Sequence, residues 1–120
     1  YQRQLSDWLG GKVPNVWLHL PHTGARVYVR KARYLIPEVR NDDLAYCLDL
    51  ATISIDPHVW KSRGLFKAIL KATVTQARGS FDCVRVENVL SEHVRRVLRS
   101  QGWTLTLTFN ECWVLSLRDG

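Results

Sequence analysis

The stretch from residue 46 to residue 87 changes its hydrophobic period twice, and this change limits the folds open to the chain. Residues 46–55 are rich in apolar and β-branched side chains, which predicts a buried strand. From about Ser62 the apolar residues recur at helical spacing until Gly79 ends the pattern. Residues 83–87 predict a second strand. A strand, a helix and a strand in this order predict a βαβ unit whose two strands are parallel.

The flanking segments predict further strands and two more helices. A short helix is predicted over residues 2–9, and another begins after Ser91, a good N-cap, and ends at Gly102. We therefore expect an α+β fold in which a mixed central sheet with a βαβ core is flanked by helices. Because the chain has 120 residues, we expect one domain over residues 1–120. The remaining strands are predicted over residues 16–20, 26–36, 103–109 and 112–117.

The apolar segments are short and interrupted by charge, as Asp49 interrupts the third strand, so no membrane span is predicted. Three cysteines, Cys47, Cys83 and Cys112, are odd in number and lie far apart in strand-like segments. This pattern favours buried, reduced thiols in a cytoplasmic protein over a disulfide framework or a zinc site. The chain contains no methionine, even at position 1, which suggests native residues upstream.

Seventeen Lys and Arg residues against eleven Asp and Glu give a net charge of +6. Such a surface attracts polyanions, which include nucleic acids and phosphorylated cofactors, and it also keeps a protein soluble. Tryptophans beside arginines invite a base-stacking interpretation, but we expect Trp103 and Trp113 to pack in the core. A nucleic-acid partner stays open as an alternative and is not favoured. The excess charge lies in two groups, Lys61, Arg63, Lys67, Lys71 and Arg78, and Arg95, Arg96 and Arg99.

A basic turn joins the predicted buried strand to the predicted helix. The first N–H groups of a helix lack intrahelical partners and carry partial positive charge, so phosphate oxygens are favoured there. Gly64 would let a ligand approach the backbone, and Lys61 and Arg63 add charge. The alternative is a helix that merely begins after a loop with two basic residues. A metal site at His19 and His22 is not predicted, because a strand-to-turn segment would not place both side chains on one face.

The pattern Lys61-x-x-Gly64-x-Phe66 directly follows the predicted buried strand, and it resembles the pyrophosphate-binding motif of the GNAT superfamily of N-acetyltransferases. Residues 86–91, followed by Gly102 and Trp103, resemble a second region of that family. The order of predicted elements agrees as well. The resemblance covers about residues 45–117 and implies a GNAT-like domain whose N-terminal acceptor region is abbreviated.

The resemblance implies acetyl-CoA as co-substrate and an amine of unknown identity as acceptor. It places Glu87 as the catalytic base, with Asp56 and His58 as rivals, and Ser91 near the reacting sulfur. Alternatively, Ser91 is only an N-cap, and Glu87 only orders its loop by pairing with Arg85, Arg95 or Lys61. The residues implied to bind acetyl-CoA are Ile53, Ser54, Ile55, Lys61, Ser62, Arg63, Gly64, Leu65, Phe66, Lys67 and Asn88.

Two positions depart from the family pattern. Phe66 replaces a small residue, although only its backbone N–H is needed if the ring turns into the core. Leu98 stands where many members place the tyrosine that protonates the leaving thiolate. Because the motif begins early in the chain, the acceptor wall is expected to be short, and a second subunit could complete it. These departures motivate a further alternative, a GNAT-shaped binding module without turnover.

Overall fold

The computed structural model describes residues 1–20, 24–54, 64–87, 89, 92–107 and 111–118. These residues form three helices and one six-stranded sheet. No helix among them is long and apolar enough to cross a membrane. The helices are α1 (Gln2–Leu9), α2 (Leu65–Ala77) and α3 (Glu92–Ser100). The strands are β1 (Asn15–His19), β2 (Arg26–Tyr34), β3 (Ala45–Ser54), β4 (Cys83–Val86), β5 (Thr104–Leu107) and β6 (Glu111–Ser116).

The strands lie in the order β1-β2-β3-β4-β6-β5. Strands β3 and β4 are parallel, and every other neighbouring pair is antiparallel. Since α2 connects the two parallel strands, the predicted βαβ unit is present at the centre of the sheet. The structure confirms the predicted α+β class with a mixed sheet.

Two predicted boundaries are corrected. The strand predicted over residues 26–36 ends at Tyr34, because the chain turns at Ile36, whose carbonyl accepts hydrogen bonds from the amides of Val39 and Arg40. Ile36 is buried, so it contributes to the core from a turn. The helix predicted from about Ser62 begins at Leu65, because Gly64 has a φ of +60° and stands outside the helix as its N-cap.

The two faces of the sheet are covered differently. Alternation along β3 directs Leu48 and Leu50 to one face and Cys47 and Asp49 to the other. Apolar side chains of all three described helices join the large cluster on the first face. A smaller cluster on the second face consists of strand and turn residues, namely Ile36, Ala45, Cys47, Cys83 and Val114. The second face therefore carries buried polar side chains beside a thin apolar layer.

The thiols and two tryptophans lie where the sequence predicts. Cys47, Cys83 and Cys112 are buried and are not joined in disulfides. Cys47 and Cys83 are partners in the β3–β4 register, with their Sγ atoms 2.7 Å apart. The hydrogen bond with Cys83, together with burial, raises the pKa of the Cys47 thiol, so it stays protonated at neutral pH. Trp103 and Trp113 are buried in the large cluster, as predicted.

Candidate active site

The parallel pair β3 and β4 separates at its carboxyl end. The ladder between them ends with Leu50 opposite Val86, and the amide of Glu87 still donates to the carbonyl of Leu50 at 3.2 Å. Beyond this point the amide of Val89 donates to Glu111 of β6 instead. Strand β3 continues to Ser54, paired with β2 on its other side. Ile53 and Ser54 thus extend past the last β4 partner, at the sheet edge where ligands of open sheets bind.

Helix α2 begins at the same edge of the sheet, because it must run back from the end of β3 to reach the start of the parallel strand β4. Gly64 has left-handed backbone angles, and a Cβ added there would meet no atom of the described chain within 4 Å. The first intrahelical hydrogen bond of α2 runs from the amide of Ala68 to the carbonyl of Gly64. Among the described residues, none fills the space beside Gly64, at the helix N-terminus where anions are favoured.

Phe66 is 2% exposed and packs in the large core cluster. Its ring therefore points away from the surface, as the sequence analysis required for its backbone N–H to serve a phosphate. Leu65 is half-buried and packs against the same cluster, whereas the Lys67 side chain is exposed.

Glu87 follows β4 directly, and two arginines hold its carboxylate. Nη2 of Arg30 on β2 donates to both carboxylate oxygens, at 2.8 and 2.7 Å. Nη1 of Arg85 also donates to Oε1 of Glu87. The Glu87 side chain is 15% exposed and the Arg30 side chain 35%, so this group lies at the rim of the second face. The predicted alternative pairing with Arg85 is present, whereas Arg95 pairs with Glu92 and Glu111 instead.

Asp49 lies beneath this group and is 0% exposed. Its Oδ2 accepts hydrogen bonds from Arg30 at 2.9 Å, from Arg85 at 3.2 Å and from the hydroxyl of Tyr34 at 2.9 Å. Its Oδ1 is buried and has no hydrogen-bond partner in the described part of the chain. We call Arg30, Asp49, Arg85 and Glu87 the charge cluster. Two positive and two negative groups leave it neutral when all four are ionised.

Burial and the nearby negative charge of Glu87 raise the pKa of Asp49 from 3.8 to about 6, against the opposing effect of Arg85. Burial and the charge of Asp49 likewise raise the pKa of Tyr34 to about 12, so its hydroxyl keeps its proton. As the pH falls through about 6, Asp49 takes up a proton and the net charge of the charge cluster rises by one. This pH lies within the working range of enzymes.

This pKa predicts a measurable pH dependence of stability. Folding raises the pKa of Asp49, so its stabilising contribution is complete below about pH 4 and is lost as the pH rises through about 6. The free energy of unfolding of the wild type minus that of Asp49→Asn should fall by about 2–3 kcal/mol between about pH 4 and pH 7. Denaturant unfolding of both proteins across this range measures the difference. If this difference in the free energy of unfolding rises with pH instead, Arg30 and Arg85 stabilise the ionised Asp49 more than burial destabilises it.

A cavity of about 280 Å³ opens beside the charge cluster on the second face. Arg85 and Tyr34 form one wall, Thr106 another, and the turn after β2 covers the rest with Leu35, Ile36, Pro37 and Glu38. A small polar molecule in this cavity would contact the guanidinium of Arg85, which also donates a hydrogen bond to Glu87.

The remaining predicted site residues divide into two groups. The first group belongs to strand and helix ends at one edge of the sheet and consists of Ile53, Ser54, Gly64, Leu65, Phe66, Lys67 and Glu87. Outside the described residues lie Ile55, Asp56, His58, Lys61, Ser62, Arg63, Asn88 and Ser91, and His22 of the histidine pair.

Sequence reasoning did not identify Arg30, Tyr34 or Asp49 as site residues. Asp49 served only as evidence against a membrane span. A signal was available, because an aspartate in the middle of a predicted buried strand requires cationic partners on adjacent strands. Arg30 and Arg85 occupy the positions paired with Asp49 in β2 and β4.

Comparison with models of known protein families gave no match, and no curated protein is significantly similar to the chain.

Proposed function

We propose that the chain is an N-acetyltransferase that moves an acetyl group from acetyl-CoA to the amine of an acceptor. The observation that carries this proposal is the end of the β3–β4 ladder at Leu50 and Val86, with β3 continuing to Ser54. Acetyl-CoA is long and rich in amide groups, and an extended strand whose parallel partner has left it offers backbone groups for such a ligand. The elements β3, α2, β4 and α3 and the pair of β5 and β6 follow one another in the order that the GNAT resemblance implies.

The first turn of α2 supports the placement of the phosphates. Backbone amides of Leu65 and Lys67 precede the first intrahelical bond of the helix, so they lie where a helix N-terminus binds anions. Lys61 and Arg63, which precede Gly64 in the sequence, would add positive charge. The backbone of Ile53 and Ser54 would hold the pantetheine arm.

Glu87 would serve as the base of the reaction. Its carboxylate would take a proton from the acceptor ammonium, and the freed nitrogen would attack the thioester carbonyl. The C–N bond forms and the C–S bond breaks. The nitrogen then loses a second proton to solvent, and the leaving thiolate takes a proton from solvent or from Ser91. Arg30 and Arg85 would orient the Glu87 carboxylate, and Asp49 would balance their charge beneath it. In this role Arg30, Arg85 and Asp49 are positioning residues.

A second candidate function is a binding module that holds acetyl-CoA without turnover. Two observations favour it. Arg30 and Arg85 already engage both Glu87 oxygens, and Leu98, at the position of the usual acid, is fully buried. Thiol release in the presence of an amine separates the two candidates, because only the enzyme produces free CoA.

Thermal unfolding with and without acetyl-CoA tests the shared part of both candidates. Ligand at 100 times its Kd adds about 2.7 kcal/mol to the free energy of unfolding. At about 2–8 °C per kcal/mol, Tm should rise by several degrees. CoA should act similarly, and ATP should not, since it shares the phosphates and lacks the pantetheine arm. Equal Tm shifts with ATP and acetyl-CoA would show that the site binds anions in general and does not recognise the pantetheine arm.

Gly64→Glu is expected to abolish the Tm shift with acetyl-CoA, because it places bulk and negative charge at the proposed pyrophosphate position. Gly79→Glu is the matched control. Gly79 follows α2, has a φ of +85° and has equally open space around its Cα. Both variants carry similar backbone strain and the same charge change, so both should lose similar stability. An unchanged ligand shift in folded Gly64→Glu would contradict the site assignment.

A further inference from the structure

A cleft, separate from the cavity beside the charge cluster, lies on the helical face of the sheet, between α2 and the segment that follows α3. Its volume is about 430 Å³. Lys67, Lys71 and Arg78 line one side, Gln101 and Trp103 line the other, and Leu115 of β6 lies on its floor. From Lys67 to Arg78 the cleft extends about 16 Å along the helix axis.

The cleft is positively charged along its whole length. None of its described lining residues is acidic, and its three cations form no ion pair with any described residue. The sequence explains why, since residues 57–81 contain five Lys or Arg residues and no Asp or Glu. Exposed cations with no local counterion repel one another and attract a polyanion.

The apolar residues of the cleft are mostly covered. Leu70 is 3% exposed and Trp103 is 6% exposed, and Val74 and Leu115 are half-buried, so no large apolar side chain stands open for a partner to cover. An acidic protein partner would normally need a buried apolar anchor as well as charge. A phosphodiester chain needs only cations, because counterion release from its phosphates supplies most of the affinity. At about 430 Å³ the cleft has the volume of a small-molecule site, which suits a few nucleotides of one strand better than a duplex.

We infer that this cleft binds the phosphate backbone of a single-stranded nucleic acid through Lys67, Lys71 and Arg78. Contacts to phosphates carry no base information, so binding is independent of sequence. None of the three arginines of α3, which the sequence grouped as a second basic patch, lines the cleft. Arg95 is paired with Glu111 at 2.7 Å, and Arg99 lies over the ring of Trp113. This inference does not rest on the proposed acetyl transfer.

The test measures the fluorescence anisotropy of labelled oligothymidylate and oligouridylate of about 20 nucleotides across about 50–200 mM salt. Three phosphate contacts predict a slope of about −2 for log K against log salt, which is about a 20-fold loss of affinity over that range. Lys71→Gln combined with Arg78→Gln should reduce the slope to about −0.7, because one contact remains. Lys67 is left unchanged because its backbone belongs to the proposed acetyl-CoA site.

Arg3→Gln combined with Lys12→Gln is the matched control, since both residues are exposed and lie outside the cleft. This variant has the same net charge as the cleft variant and should keep the wild-type slope. Circular dichroism melts confirm that both variants fold. Equal slopes for the two variants would overturn the assignment to the cleft. Competition by polyglutamate as strong, charge for charge, as that by unlabelled oligonucleotide would overturn the assignment to nucleic acid, as would a lack of binding at 50 mM salt.

Discussion

Glu87→Gln is expected to lower kcat for acetyl transfer by about 10²–10⁴-fold while leaving the acetyl-CoA thermal shift intact. The amide keeps the shape of the side chain and still accepts hydrogen bonds from Arg30 and Arg85, but it cannot accept the ammonium proton. An effect on kcat without an effect on affinity marks a group that acts in the transition state. The measurement is the rate of CoA release with saturating amine, taken across pH.

A matched variant gives this prediction its control. Asp7→Asn removes an exposed carboxylate on α1 and should keep the wild-type rate, whereas Glu87→Gln should be slower at every pH tested. Identical rates for wild type and Glu87→Gln across pH would remove Glu87 as the base. A wild-type protein that binds acetyl-CoA and releases no thiol with any amine would establish the binding module instead.

Arg85→Met is expected to lower the free energy of unfolding by about 3–5 kcal/mol. Arg85 is 8% exposed, and it donates to Asp49, to Glu87 and to the thiol of Cys112. Its removal leaves a fully buried carboxylate with fewer donors, which is among the most destabilising changes in a protein interior. At about 4 °C per kcal/mol, Tm should fall by roughly 12–20 °C.

The double variant Asp49→Leu with Arg85→Met tests the electrostatic origin of this loss. Replacing both members of a buried ion pair with apolar groups is often nearly neutral, so the double variant should recover much of the stability. Arg30 would remain paired with Glu87 at the rim. Arg33→Met, which removes an exposed arginine stacked on Tyr46, should change stability by less than about 0.5 kcal/mol. Additive losses in the double variant would show that Arg85 stabilises through packing alone.

The elements of the fold could be predicted because each depends on local periodicity. The apolar run of β3, the helical spacing of α2 and the short strand β4 were all recognisable, and the parallel pairing follows from their order. The boundaries were less predictable. The start of α2 depends on the backbone angles of Gly64, and the end of β2 depends on how Ile36 packs against β3 and β4.

The candidate site was predictable only in the parts that belong to one continuous segment. Glu87 and Gly64 were identified from motifs, because those motifs contain the residues that flank them in the chain. Arg30 was not identified, because it lies 57 positions from Glu87 in sequence and reaches it only across β3. No local pattern records which residues of neighbouring strands share a face.

The sequence by itself determined the α+β class, the central βαβ unit, the buried thiols and the concentration of cations without carboxylates in residues 57–81. Only the tertiary structure decided that Asp49 balances Arg30 and Arg85 beneath Glu87, and that Lys67, Lys71 and Arg78 line one cleft. The physical reason is the distance over which each effect acts. Hydrophobic periodicity acts within a few residues of chain, whereas the energy of a buried charge depends on strand register and on every group the sheet brings within a few ångströms.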